Sequence, residues 1–322
     1  MPRLPLATLA ALASSLACGG PAPQNSPAPA AQSQSLELQE GDDCGVRCER
    51  KRLLAADDAL QAAVHSRGFA PAFEAALTEN GTFLASGQHI LTGKAAVSAY
   101  LDQAYGGANN PAVSWTIARG DVSADGELGY TFGWVVLTPP GAPTRYRHYI
   151  AMWRNQEEAG WKLEAYLLQP SFARTEPPAW FVPFTGNGPE EVESRSEKKV
   201  LREVFQTDTA FAALSVSKGL QFAFDSYGTP DAVELDLDFT YGAAAIHDAN
   251  AGSEGFLLDW APSLGGAARS GDLAYTIGNA AFTDNTVAPP QTYYSKYLTV
   301  WHRQPDGSWK YIVDGGNASP SP

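Results

Sequence analysis

The body of this chain is written twice, and a repeat of domain length restricts the fold to two copies of one unit. Asp57 to Leu84 lies without a gap on Asp208 to Leu235. Asp57/Asp208, Ala59/Ala210, Ala62/Ala213, Ser66/Ser217, Gly68/Gly219, Ala72/Ala223, Phe73/Phe224, Thr78/Thr229 and Leu84/Leu235 are identical. Further on, Gly93 meets Gly242, Trp115 meets Trp260, and Tyr130-Thr131 meets Tyr275-Thr276. Tyr149 meets Tyr297, Trp153 meets Trp301, and Trp161-Lys162 meets Trp309-Lys310. The offset drifts only slightly, as it does when loops absorb small insertions. Copies of about 120 residues are the size of single domains.

A chain of 322 residues, 44% apolar and 18% charged, has room for two cores. The formal net charge of -13 excludes nucleic acid as a partner, because phosphate binding needs clustered Lys and Arg.

Residues 1–17 read as a signal peptide. Arg3 supplies a thin positive start, and Leu4 to Leu16 is an apolar run too short to span a bilayer. Ser14-Ser15-Leu16-Ala17-Cys18-Gly19 resembles a bacterial lipoprotein lipobox, which implies lipidation at Cys18. An ordinary secretory signal cleaved nearby is the alternative. The resemblance implies a protein of the bacterial cell envelope, lipid-anchored and facing the periplasm. Gly19 in place of Asp favours the outer membrane, and acyl chains rather than a transmembrane helix would hold it there. Residues 18–42 form a Pro-, Ala-, Gln- and Ser-rich tether with too little apolar surface to order itself. The expected divisions beyond it are a first domain at 43–172, a linker at 173–197 and a second domain at 198–318. Cys44 and Cys48 lie four apart, and in an oxidising compartment they read as a local disulfide, with two reduced thiols as the alternative. Neither has a His nearby, so no metal site is expected, and no cofactor motif is present.

Each copy shows the same order of elements. Leu53, Leu54, Leu60, Ala63 and Val64 recur at helical spacing, predicting a helix over Glu49 to His65. Gly68 breaks it, and Phe69, Ala72, Phe73, Ala76 and Leu77 fit a second, shorter helix. A polar turn at Thr78 to Gly81 leads to a strand around Thr82 to Ala85. A third helix follows Gly93, with Thr92 as its candidate cap. Strand-like runs with turns between them complete the copy: Ala112 to Val122, Leu128 to Thr138, Tyr146 to Asn155 and Trp161 to Gln169. Helices first and a curved antiparallel sheet after them make an α+β unit.

The helix pairs around Gly68 and Gly219 carry a more specific likeness. So do Thr92-Gly93-Lys94-Ala95-Ala96-Val97, its counterpart Tyr241 to Ile246, and the closing hairpin Tyr297 to Lys310. The ordering resembles the nuclear transport factor 2-like (NTF2-like) superfamily, and within it the SnoaL-like group of DUF4440 proteins. That resemblance implies a cone in each copy: three helices over a bent sheet, with a pocket in the hollow. It implies little about chemistry, because the fold hosts isomerases, cyclases, dehydratases, hydrolases and pure binding proteins.

Steroid isomerases of that superfamily place an Asp base nine residues before the Gly that opens the third helix. Leu84 and Val233 stand there, and neither accepts a proton. Asp231, Glu234, Asp236 and Asp238 occur only in the second copy, and their alternation reads as a solvated strand face. His65, His89, His148, His247 and His302 do not align between copies, although His148 or His302 has neighbours that would let it point inward. Ser215-Val216-Ser217-Lys218 matches a serine–lysine pattern, but its counterpart is an ordinary helix end, so the match is chance. Asn80-Gly81-Thr82 and Asn317-Ala318-Ser319 match the glycosylation sequon, which carries little weight in a bacterial lipoprotein.

What both copies share is aromatic. Trp115, Tyr130, Trp134, Tyr149 and Trp153 in the first, and Tyr275, Tyr297 and Trp301 in the second, would coat a concave sheet and bind a small apolar ligand, with Asn279 and Asp314 as polar groups beside them. Packing against helices, or filling an interface between domains, is the other use of such rings. Three functions follow: non-catalytic binding of a small apolar or aromatic ligand, an isomerase-, cyclase- or dehydratase-type enzyme active in one copy, and a structural or interaction module. Binding leads, because no acid–base pair recurs. The two copies are also expected to pair with each other as an intramolecular pseudo-dimer.

Overall fold

The computed structural model describes residues 45–174 and 194–321. The signal peptide, Cys18, the tether, Cys44 and most of the linker lie outside the described residues. Cys48 is disulfide-bonded.

The first half runs α1 (Gly45–Arg67), α2 (Phe69–Ala76), β1 (Leu77–Ala85), β2 (Leu91–Thr92), α3 (Lys94–Tyr105), β3 (Ala112–Val122), β4 (Leu128–Thr138), β5 (Arg145–Asn155) and β6 (Trp161–Pro170). The second repeats it as α4 (Glu197–Lys218), α5 (Leu220–Tyr227), β7 (Gly228–Leu235), β8 (Phe239–Tyr241), α6 (Ala243–Ala249), β9 (Phe256–Ala267), β10 (Leu273–Asp284), β11 (Gln291–Arg303) and β12 (Trp309–Ala318). The sheets have the same order, β2-β1-β6-β5-β4-β3 and β8-β7-β12-β11-β10-β9. The expected α+β cone of three helices on a bent sheet is therefore present twice. The sheets are antiparallel except at β1–β6 and β7–β12, which run parallel.

Two local expectations are corrected. Thr78 to Gly81 is not a free turn but part of β1, with a register irregularity between Leu77 and Thr82 absorbing the polar residues. Thr92 does not cap α3. The cap residue is Gly93, at φ 88, and no side chain bonds there. Gly242 repeats it at φ 87, so the shared glycines mark a backbone turn that a Cβ would strain.

Strand alternation gives each sheet two buried faces. The helix-side face of the first holds Tyr149, Ala151 and Trp153 against Leu53, Leu60 and Phe73. The helix-side face of the second holds Trp301 and Tyr311 against Val204, Phe211 and Phe224. The opposite faces pack on each other: Leu84, Tyr130, Trp134, Ile150 and Leu167 meet Val233, Phe239, Leu298, Val300 and Val313 in one apolar cluster. Trp134 and Phe239 are 4.7 Å apart across this seam. Gln169 Nε2 donates to the carbonyls of Leu235 (2.6 Å) and Asp236 (3.0 Å). Asn317 Nδ2, its repeat counterpart, donates to the carbonyls of Leu84 (2.8 Å) and Leu168 (2.9 Å). The sequon at Asn317 is thus a fully buried seam residue.

Candidate functional site

The residues identical between the copies build one buried polar knot in each half. In the first, Asp57 of α1 takes the Trp115 indole N–H on Oδ1 at 2.5 Å. The hydroxyls of Thr131 (2.5 Å) and Tyr149 (3.1 Å) donate to Oδ2, and the Trp153 indole donates to the Thr131 hydroxyl at 3.0 Å. In the second, Asp208 takes Trp260 N–H on Oδ1 at 2.7 Å and Tyr297 O–H on Oδ2 at 2.8 Å. Thr276 also bonds Asp208, and Trp301 donates to Thr276 at 2.8 Å. The knot ties the long helix to the sheet at its centre. Burial outweighs the donors and pushes the Asp57 carboxyl up to about 6, and it raises Asp208 as well.

The aromatic positions therefore divide in a way that their common lining role did not anticipate. Trp115, Tyr149, Trp153 and Trp301 are polar-knot residues packed in helix–sheet cores. Tyr130, Trp134 and Tyr275 do not line a hollow: alternation along β4 and β10 turns them to the seam. Asn279 is exposed. Tyr297 and Asp314 do line a cavity. His148 points into the seam rather than inward, with Nδ1 3.0 Å from the Asp236 carbonyl and burial pulling it down to about 4. The Ser215 hydroxyl is spent on the Leu258 carbonyl at 2.8 Å.

The halves differ where Phe83 and Tyr166 of the first are replaced. Those two rings stack at 5.5 Å, 14° from parallel, and Tyr149 stacks on Tyr166 at 5.6 Å, so the first hollow is filled. The gapless repeat sets Phe83 on Glu234, and the spacing that sets Trp161 on Trp309 sets Tyr166 on Asp314. The register agrees, because Phe83 pairs with Tyr166 and Glu234 pairs with Asp314. Leu168 becomes Gly316 in the same way. Two rings and a leucine give way to two carboxyls and a glycine, and a cavity of about 100 Å³ opens there. Its walls include Phe224, Trp260, Phe282 and Tyr297, with Glu234, Asp236, Thr299 and Asp314 supplying the polar surface.

Glu234 is buried, not on a solvated strand face as its alternating neighbours implied. Val233 and Leu235 go to the seam and Glu234, between them, goes to the hollow. The Tyr311 hydroxyl donates to its Oε1 at 3.1 Å, and Asn250 Nδ2 reaches Oε2 at 3.4 Å. Burial and the neighbouring Asp314 raise its carboxyl well above the ordinary value. Burial pushes Asp314 up to about 7 against the hydrogen bond from Thr299. Asp236, at the end of β7, is pushed up to about 6, again chiefly by burial. Asp231 serves another purpose, meeting Arg119 across the seam at 2.9 Å. Comparing the copies at Phe83 and Tyr166 is the sequence signal that would have found Glu234.

Solved structures similar to parts of this chain include an NTF2-like protein with a cystatin-like fold from Novosphingobium aromaticivorans, 15% identical, covering 38% of this chain and 82% of its own, at a TM-score of 0.33. An NTF2-like superfamily protein from Salmonella enterica is 14% identical over 38% of this chain and 94% of its own, at 0.33. A ketosteroid isomerase-like protein from Erwinia carotovora atroseptica is 13% identical over 37% of this chain and 95% of its own, at 0.32. No family model and no curated protein matches the chain.

Proposed function

We propose that the second half is a proton-transfer site for a small, mostly apolar substrate, with Asp314 as the base and Glu234 as the acid. The observation that carries this reading is the exchange of the ring pair Phe83 and Tyr166 for the carboxyl pair Glu234 and Asp314 on the inward face, where the cavity opens. Placing two carboxyls in a core lined by rings costs stability, and such groups concentrate where chemistry needs them. Asp314 at about 7 is poised to take and return a proton near neutrality. Glu234, whose carboxyl burial and the neighbouring Asp314 raise well above the ordinary value, can give a hydrogen bond or a proton to an oxygen of the substrate. Its partner Tyr311 can pass its own O–H to the Phe224 carbonyl, 3.5 Å away, when Glu234 donates. Base and acid on neighbouring strands suit removal of a proton beside a carbonyl and its return elsewhere, the isomerase-type chemistry among the expected functions. Non-catalytic binding rests on the lack of an acid–base pair common to both copies, and the pair proposed here belongs to the second copy alone.

In this reading the first half is a filled copy that serves as structural partner, its sheet packed on the second as one half of an intramolecular pseudo-dimer. The lipidated Cys18 would hold the protein at the envelope, facing the periplasm.

The test is deuterium incorporation from D2O into a panel of small cyclic ketones and enones, followed by mass spectrometry. Exchange should be lost in Asp314→Asn, reduced in Glu234→Gln, and rise with pH through about 7 as Asp314 ionises. Carbon-13 NMR of labelled carboxyls gives a check that needs no substrate. Both groups titrating at ordinary values, with no exchange above buffer, would reject the proposal.

A further inference from the structure

The exchange of apolar for polar groups between the halves extends from the sheet to the third helix. Gly93 and Gly242 stand before α3 and α6, and counting from them sets Val97 on Ile246, Tyr100 on Ala249 and Leu101 on Asn250. Val97 and Ile246 are both buried, so the two helices turn the same face inward. In the first half Leu101 is a fully buried core residue, and the Tyr100 ring lies 6.0 Å from Phe83. In the second, where Glu234 stands for Phe83, that ring is gone and the leucine has become a buried asparagine.

The helix end does not need this amide. α6 stops at Ala249, and the backbone N–H of Asn250 already closes it on the Ile246 carbonyl at 3.1 Å. The bond from Asn250 Nδ2 to the same carbonyl, also 3.1 Å, is a second one. The other contact of Nδ2 is with Glu234 Oε2 at 3.4 Å, while the Tyr311 hydroxyl takes Oε1. Asn250 Oδ1 is buried and has no hydrogen-bond partner among the described residues. A buried amide with an unpaired oxygen costs stability at a place that the first half fills with leucine. Asn250 itself is not among the residues lining the cavity, so whatever it does there goes through Glu234.

We infer that Asn250 is a positioning residue for Glu234, holding its second oxygen and receiving the charge left when this carboxyl gives its proton to the substrate. Resting on the proton-transfer reading, this adds the group that makes the acid reversible. As the Glu234 O–H bond breaks, its electron pair stays on the carboxyl, where the Asn250 N–H and the Tyr311 O–H meet it. When the proton returns, the charge goes with it. A leucine can do neither, and the first half, which has no carboxyl at Phe83, has leucine.

Asp314, Asp236 and Tyr311 are the other titratable groups acting on Glu234, so its own carboxyl is followed directly. The experiment is a carbon-13 NMR titration of the whole protein labelled at its Glu carboxyls, with Glu234→Gln identifying the signal. In Asn250→Leu the proton affinity of Glu234 should rise about tenfold, because its ionised form loses a donor. Asn250→Asp, nearly the same shape without the N–H, should raise it at least as far. Asn250→Leu should melt at or above the wild type, since Leu101 fills the equivalent place. With cyclohexanone in D2O, kcat for exchange should fall about tenfold while KM stays, because Asn250 meets Glu234 and not the cavity. A Glu234 midpoint unchanged in both variants, or a lowered Tm with no change of midpoint, overturns the inference. Absence of exchange in the wild type counts against the proton-transfer reading, and the Glu234 midpoints still decide whether Asn250 holds this carboxyl.

Discussion

The difference between the halves can be reversed by giving the second half the residues of the first. In Glu234→Phe with Asp314→Tyr, the new rings take the positions of the stacked pair Phe83 and Tyr166. Gly316, where the first half has Leu168, leaves room for the larger side chains. Filling a cavity of about 100 Å³ at about 24 cal/mol per Å³ contributes about 2.4 kcal/mol. Few donors lose their partners. Tyr311 keeps the Phe224 carbonyl at 3.5 Å, and Asn250 Nδ2 keeps the Ile246 carbonyl at 3.1 Å. The Thr299 hydroxyl gives up its bond to Asp314, at a cost of about 1 kcal/mol, and the Gly315 N–H loses a weaker contact with the same carboxyl. The net gain is about 1.5 kcal/mol, or about 3–6 °C in Tm for a protein of this size. Removing two carboxyls that burial disfavours acts in the same direction. The assay is thermal unfolding by circular dichroism beside the deuterium-exchange assay, and the variant should be more stable and no longer catalyse exchange. A variant that keeps native dichroism yet melts below the wild type would refute the claim that function, not stability, accounts for the carboxyls. Exchange at the wild-type rate would refute the placement of the site.

Three further outcomes follow from the same geometry. Asp57, raised from 3.8 to about 6, favours the folded state when neutral, so that stability is fully present below pH 3.8 and is lost as pH rises through about 6. The loss amounts to about 3 kcal/mol, and Asp57→Asn should flatten urea midpoints over that window. Asp57→Ala instead strands the donors of Trp115, Thr131 and Tyr149 and should cost about 3 kcal/mol or more by urea unfolding at pH 7. Gln169→Leu removes two bonds from the first half to the Leu235 and Asp236 carbonyls and should cost about 2 kcal/mol. A change below about 0.5 kcal/mol there would mean that the apolar seam alone holds the halves together.

The repeat, the order of helices and strands, and the α+β class were legible in the chain because they rest on local signals: apolar periodicity, helix-breaking glycines and identical spacing. The knot residues were visible too, as identities at Asp57/Asp208, Trp115/Trp260, Thr131/Thr276, Tyr149/Tyr297 and Trp153/Trp301. Their role was not, because a repeated Trp reads the same whether it lines a hollow or donates to a buried carboxylate. Which face of each strand meets helices and which meets the other sheet is decided by packing at long range. Alternation separates Tyr130 and Trp134 from Tyr149 and Trp153 only once both sheets have found their partners. Glu234 shows the same limit. Beside Asp231, Asp236 and Asp238 its charge looks solvated, and only the docking of β7 between β8 and β12, with the first half behind it, turns that carboxyl into the cavity beside Asp314. Two copies of one unit follow from the repeat in the chain. That one copy is filled and the other hollow follows only from the packing of strands and helices, because burial is a property of what surrounds a residue and not of the residue.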